Sequence, residues 1–311
     1  MPNKLYLECY SGISGDMTVA ALLDLGADQQ VLLEGLESLN LPGYQLKIGR
    51  VKKNGIDACD FDVILDEPEH HHDHDHEHNH EHDHEHHHEH DHEHHHEHDH
   101  EHHHEHDHEH HHEHDHEHHH DHDHEHHHDH DHEHHHHHDH VHRNIGDIFA
   151  IIDQSKISDR AKQTAKDIFR IIAAAESKAH GIAEDQVHFH EVGAVDSIVD
   201  IVSAAICLDN LDITEAVVSD LYEGCGYVHC QHGLMPVPVP AVVNIAADNA
   251  LRLRLTQTRG EMITPTGAAI AAYLSKGGKL PESFVIEKIG LGAGKKDFAT
   301  ANILRAFLIR D

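Results

Sequence analysis

The sequence predicts an α/β fold: a mixed sheet with helices on its faces, interrupted by a long disordered His-rich insertion. Three observations carry this expectation. The chain opens as strand, tight loop and helix (KLYLE, CYSGISGD, MTVAALLDLGA). Apolar stripes at spacings of three and four recur at Ala161, Ala165, Ile168, Ile172, Ala175 and Ala179, and again at Ile198, Val199, Ile201, Val202, Ala205 and Ile206. Between these regions, residues 70–140 hold 45 His, 25 Asp or Glu and one Asn, with no apolar residue from which to build a core.

Taken in order, the first helix is closed by Gly26, a second covers Asp28–Leu39, and strands at Tyr44–Val51 and Asp57–Leu65 complete a first lobe over residues 1–66. Residues 67–142 form the insertion. In it, residues 81–120 are five copies of EHDHEHHH, a repeat expansion that argues against one required geometry. A second lobe over 143–311 begins with NIGDIFAIIDQS and a longer helix N-capped by Ser158. Then come the helix containing Asp196, a strand around Ala216–Ser219, an extended proline run before a helix near Val242–Asn249, a helix after Thr264, and a closing strand NILRAFLIR.

Composition narrows the function. About 240 residues remain outside the tract, enough for one large domain or two small ones. Of the formal charge of −36, the tract takes 25 of the 58 acidic residues, which leaves 33 against 22 Lys and Arg, a balance of −11 that disfavours nucleic acid. The N-terminus MPNKLYLE enters a strand instead of a signal peptide and no apolar run reaches the roughly 20 residues of a membrane span, so a cytoplasmic protein without membrane contact is expected. Cys9, Cys59, Cys207, Cys225 and Cys230, odd in number and irregularly spaced, suit reduced thiols.

The chemistry concentrates in a few stretches. HFHEVGAVDSIVDIV places His188, His190, Glu191 and Asp196 where a turn runs into a packed helix, and four such donors can converge on one metal ion; alternatively the histidines are ordinary loop residues and Asp196 caps the helix. Glu191 and Asp196 are open to a second role as general base. Cys225, His229, Cys230 and His232 fall within eight residues, a soft-donor cluster matching no zinc-finger spacing. The tract's imidazoles, roughly half or more of them neutral near pH 7, suit weakly specified binding of many Ni, Zn or Cu ions; the plain alternative is a solvated linker.

Anion cradles form a second class. In CYSGISGD, Gly12 and Gly15 let backbone N–H groups turn inward, Ser11 and Ser14 add hydroxyls, and a helix N-terminus follows; Asp16 is either an N-cap or a metal ligand beside a phosphate. No GK[ST] follows, so this is not a P-loop. Thr264, Thr266 and Gly267 precede another helix, and IGLGAGKK offers three glycines followed by Lys295 and Lys296; each of these is otherwise a turn.

SGISGDM, HFHEVGAVDSIVDIV, HGLMPVP, TPTGAA and GAG…NILRAF together resemble the LarC family of nickel-insertion proteins, in the right order and through all of the chain except the tract. PVPVPAV stands where PVPAPAT is more usual. The resemblance implies nickel insertion into pyridinium-3,5-bisthiocarboxylic acid mononucleotide, a CTP-dependent reaction of the lyase class requiring a divalent metal, whose product serves lactate racemase. It also implies Ni(II) as cargo, a His-rich insertion at this position, and a small C-terminal domain beyond Asp311, so the chain is expected to be the first part of a split or frameshifted unit with a companion segment; a homo-oligomer is expected besides. Two rivals belong to other classes: a nickel storage or delivery protein without catalysis, and a metal-dependent phosphohydrolase using Asp16, the HxHE and Asp196.

Overall fold

The computed structural model describes residues 3–66, 143–187, 195–230 and 232–310. Predicted sites at His188, His190, Glu191 and in the tract lie outside the described residues. By its contacts the chain divides into two units, Met1–Pro68 with His138–Asp311, and Glu69–His137. All the described residues belong to the first.

β1 (Asn3–Glu8) leads through the SGIS loop into α1 (Gly15–Leu25), which ends at Gly26 in the left-handed region with φ 115°. α2 (Gln29–Glu37) is capped by Asp28, whose side chain accepts from Gln30 and Val31 N–H. β2 (Tyr44–Lys53) and β3 (Ile56–Leu65) form a hairpin. After the insertion, α3 (Ile145–Gln154) starts in a capping box between Asn144 and Asp147, and α4 (Asp159–His180) starts at Ser158, whose hydroxyl accepts from Ala161 N–H at 3.0 Å. α5 (Val195–Asn210), β4 (Ile213–Val218), β5 (Leu221–Cys225), β6 (Tyr227–Cys230), β7 (Gly233–Pro236), α6 (Pro240–Asp248), β8 (Leu253–Arg259), α7 (Pro265–Leu274), β9 (Val285–Ala293) and β10 (Ile303–Arg310) complete the chain.

The main sheet has six strands in the order β2-β3-β9-β10-β1-β4. β1 runs parallel to β4 and antiparallel to β10, so the sheet is mixed and the α/β expectation is met. Strands from before and after the insertion share this sheet. α1, α5 and α7 lie over it, and α4 packs outside α5, α6 and α7. The largest core sits between these layers. It is built on fully buried residues such as Leu5, Leu7, Phe61, Ile168, Phe169 and Ile198, each worth roughly 1.5–3 kcal/mol of burial. α7 is buried nearly all round, so it shows little amphipathic periodicity.

Three expectations are corrected. The stretch IGLGA is not a turn or anion loop but the end of β9. A Cβ on Gly292 would stand 2.0 Å from the Met17 carbonyl oxygen, so this glycine allows α1 to rest directly on the sheet. Asp16 is not an N-cap: α1 begins at Gly15 with Ser14 as its cap, which puts Asp16 in the first turn. The helix expected near Val242–Asn249 starts earlier, with Pro240 in its first turn.

Candidate functional site

The two predicted anion loops, about 250 residues apart in sequence, are one structure. Ile13 N–H donates to the Met262 carbonyl at 3.0 Å, and Thr264 N–H donates to the Ile13 carbonyl at 3.1 Å, forming a short parallel bridge between Ile13 and Ile263. This bridge delivers the N-termini of α1 and α7 side by side. The fit is close: a Cβ on Gly267 would lie 2.2 Å from the Ile13 carbonyl oxygen, and one on Gly12, at φ 86°, would lie 2.0 Å from that of Met262. Thr264 caps α7, its Oγ1 accepting from Gly267 N–H at 3.1 Å; Thr266 is buried behind it and Ser11 is half-buried at the loop's start.

A buried carboxylate supports this bridge from behind. Glu223 of β5 is fully buried, and its Oε1 accepts from the N–H groups of Gly224 (2.7 Å), Met262 (2.8 Å) and Ile263 (3.3 Å). Burial pushes its carboxyl up to about 7 although these three donors pull the other way. Its Oε2 has no hydrogen-bond partner.

Carboxylates gather in front of α1. Asp200 lies one turn beyond Asp196 on α5, so the two share a helix face. Its carboxylate rests on Gly15, where a Cβ would be 2.4 Å from Oδ2, and it accepts the Asp16 N–H while its Oδ1 is buried without a hydrogen-bond partner. Burial, then the nearby Asp16 and Asp196, raises the Asp200 carboxyl well above its ordinary range, with Lys295 opposing. Asp16, which receives the Ser14 hydroxyl, and Asp196, which accepts Ser197 N–H at 2.8 Å, are raised chiefly by burial. Lys295 reaches Asp60 at 2.9 Å and Asp62 at 3.3 Å; burial alone would lower its ammonium, but those carboxylates outweigh it and leave it raised. The structure thus brings Asp16, Asp196 and Lys295 into one electrostatic group and adds Asp200, which the sequence reading missed. The i, i+4 spacing in VDSIVDIV was the available signal.

The soft-donor cluster divides. Side chains alternate along β6, with Val228 and Cys230 half-buried and Tyr227 and His229 exposed, so His229 points away from Cys230. Cys225 ends β5, opposite Arg259. Cys230 and His232 instead line a cavity of about 210 Å³ with Glu176, His180, Met235 and Pro265. Pro265 is the first residue of α7, so this cavity adjoins the paired helix N-termini. Among the described residues, no group of three or more His, Cys, Asp or Glu is already arranged to hold a metal ion, and no helix is long and apolar enough to cross a membrane.

Comparison with known proteins shows the family of the chain. No solved structure matches the chain. It is 54% identical over 312 residues to the pyridinium-3,5-bisthiocarboxylic acid mononucleotide nickel insertion protein of Alkaliphilus metalliredigens (strain QYMF), covering 100% of this chain and 61% of that protein. It is 42% identical to the protein of that name from Clostridium acetobutylicum, over 98% of this chain and 63% of the relative, and 35% identical to that of Acetivibrio thermocellus, over 98% and 60%. The chain therefore spans about three fifths of the length of these relatives. A family model described as nickel insertion protein matches residues 5–311, both strands that flank the bridge and all the helices around it, and on that match this chain belongs to the nickel insertion protein family.

Proposed function

We propose that this chain inserts nickel into pyridinium-3,5-bisthiocarboxylic acid mononucleotide, a lyase-class reaction driven by CTP with a divalent metal ion, giving the nickel-pincer nucleotide used by lactate racemase. The names of its relatives support the substrate. The observation that carries the reading is the pairing of the α1 and α7 N-termini through Ile13 and Ile263, because two helix ends with Ser14, Thr264 and Thr266 hydroxyls nearby suit a phosphate monoester. Nickel insertion exchanges protons for metal bonds: two thiocarboxylate sulfurs bind Ni(II), and the ring C–H proton leaves as the nickel–carbon bond forms. Asp16 and Asp196, both raised above the ordinary carboxylate range, and Glu191 are the candidate acceptors of that proton. His188, His190, Glu191 and Asp196 are the proposed ordered nickel station, and the tract is the proposed reservoir. Homo-oligomeric assembly, a cytoplasmic location and a C-terminal companion segment belong to the same proposal.

The test is incubation of the purified chain with nickel, CTP and the bisthiocarboxylate nucleotide, with and without the C-terminal segment of a longer relative, followed by mass analysis of the small molecule. Nickel-bearing nucleotide in either mixture supports the reading, and its absence from both overturns it. His190→Ala should abolish insertion while the tract still loads nickel. A storage role is the second reading, favoured by the 45 histidines of the tract. Normal insertion by His190→Ala would make the HxHE turn structural, and nickel loading without any insertion would leave storage as the function.

A further inference from the structure

We propose that the cavity between the end of α4 and the β6–β7 hairpin is a nickel-binding site whose donors are the imidazoles of His180 and His232 and the sulfur of Cys230, with Glu176 orienting His180. This rests on the nickel-insertion reading and adds to it a place where the ion is held beside the nucleotide. All four residues line one cavity of about 210 Å³. The His180 and His232 rings are 4.9 Å apart between centroids and tilted by 43°, close enough for small side-chain rotations to aim one nitrogen from each at a common ion. Glu176 Oε2 lies 3.4 Å from His180 Nε2, one helical turn away. A carboxylate in that position accepts the Nε2–H, fixes the tautomer and leaves the Nδ1 lone pair for a metal.

The surroundings favour a cation. His180 is the last residue of a 22-residue helix, where the macrodipole is negative. His180 retains 32% of its side-chain exposure, so an ion can reach it, while Met235, Val239 and Pro240 make the other wall apolar. The donors share the cavity without yet meeting at one point, so nickel completes the arrangement on arrival. The Cys230 thiol gives its proton to solvent as the Ni–S bond forms, the imidazoles bind as neutral ligands, and the oxidation state is unchanged. Two nitrogens and one sulfur leave coordination positions open, which suits an ion that must pass to thiocarboxylate sulfurs. Pro265 in the cavity wall puts this site against the start of α7, next to the proposed phosphate position.

The test exploits sulfur. The tract contains no cysteine, so a thiolate-to-metal charge-transfer band in the near ultraviolet reports on the folded unit even when the tract is loaded. Titration of the full chain with Ni(II), and with Co(II) as a second probe, should give such a band whose plateau amplitude corresponds to one site per chain, reached as the tract also fills. Cys230→Ser should abolish it. His180→Ala and His232→Ala should weaken the affinity read from the band at least tenfold, and Glu176→Gln on the order of tenfold. Cys225→Ser and His229→Ala should leave it unchanged, and His180, exposed at a helix end, can be changed without risk to folding. Absence of the band, its loss in Cys225→Ser, or its persistence at full affinity in His180→Ala overturns the site. Insertion measured on the same preparations separates the two ideas: insertion without the band removes this site and keeps the function, whereas the band without insertion keeps the site and removes the function.

Discussion

The Asp200 carboxylate is seated on the backbone of Gly15, so closely that a methyl group on Gly15 would stand 2.4 Å from Oδ2 and 2.7 Å from the Asp200 Cβ. Gly15 is therefore a contact surface for α5 as well as the first residue of α1. Gly15→Ala must push α5 away from α1, and overpacking of this kind costs about 1–3 kcal/mol. Thermal unfolding should show the loss as a lowered midpoint. Asp200→Ala in the same chain removes the carboxylate that meets the new methyl at 2.4 Å, while the Cβ at 2.7 Å stays, so the double variant should lose part, not all, of the clash and fall short of the sum of the two single changes. Strictly additive losses would mean that the two residues do not press on each other in solution.

Glu223 predicts a pH dependence. Its carboxyl stands at about 7 against an ordinary value of 4.5, so the native protein holds this proton more tightly than the unfolded chain does. The resulting stabilisation is complete below the ordinary carboxylate range, declines as pH rises toward 7, and is lost above it. Glu223→Gln keeps an oxygen acceptor for the N–H groups of Gly224, Met262 and Ile263 and cannot ionise. Relative to the unaltered protein, the variant should gain stability between pH 5 and pH 8, by an amount on the order of 3 kcal/mol. Urea unfolding at the two pH values measures it, and parallel behaviour of the two proteins would contradict the assignment.

Much of the fold was legible because its signals are local. Asp28, Ser158 and Gly26 mark helix ends through hydrogen bonds that span a few residues, and the α4 stripe is a matter of spacing alone. What was not legible depends on contacts across the chain. Gly290 and Gly292 resemble a phosphate loop in sequence because both uses need a missing Cβ, and only the packing of α1 distinguishes them. The two predicted anion loops stood as separate stretches in the sequence because nothing in the spacing joins Ile13 to Ile263. The soft-donor cluster looked continuous because closeness in sequence hid the period of two that turns His229 away from Cys230, while His180, its neighbour in space, lies some 50 residues earlier.

The His tract makes a prediction about stability. Residues 70–140 hold no apolar residue, and among the described residues the core is built from the segments before and after them. Deleting residues 70–140 should therefore lower the number of bound nickel ions sharply and leave thermal unfolding of the remainder nearly unchanged. Equilibrium dialysis and calorimetry on the deleted chain test both halves. A large fall in the unfolding midpoint would show that the segment packs on the core.

Lys295 holds the acidic group at the start of α1 together. It reaches Asp60 and Asp62 and opposes the raised pKa values of Asp16 and Asp200, so it is the cation around which four carboxylates are arranged. Lys295→Met removes the cation that opposes the raised Asp16 and Asp200 carboxyls, which drives those two further up. Protons are then taken up on folding, and the variant should match the unaltered protein near pH 5 but fall below it as the carboxylates ionise. The ammonium is 42% exposed, so the loss at pH 8 should be modest, about 1 kcal/mol. The effect on ligand binding should be larger than the effect on stability. At the proposed position by the paired helix N-termini a phosphate would lie close to these negative charges, and removing their counterion would make the approach of a dianion unfavourable. Affinity for the mononucleotide, measured by calorimetry at pH 8, should therefore fall, and raising the salt concentration should recover part of it by screening the exposed carboxylates. Unchanged affinity would separate Lys295 from the phosphate position and leave it as the counterion of the α1 carboxylates alone.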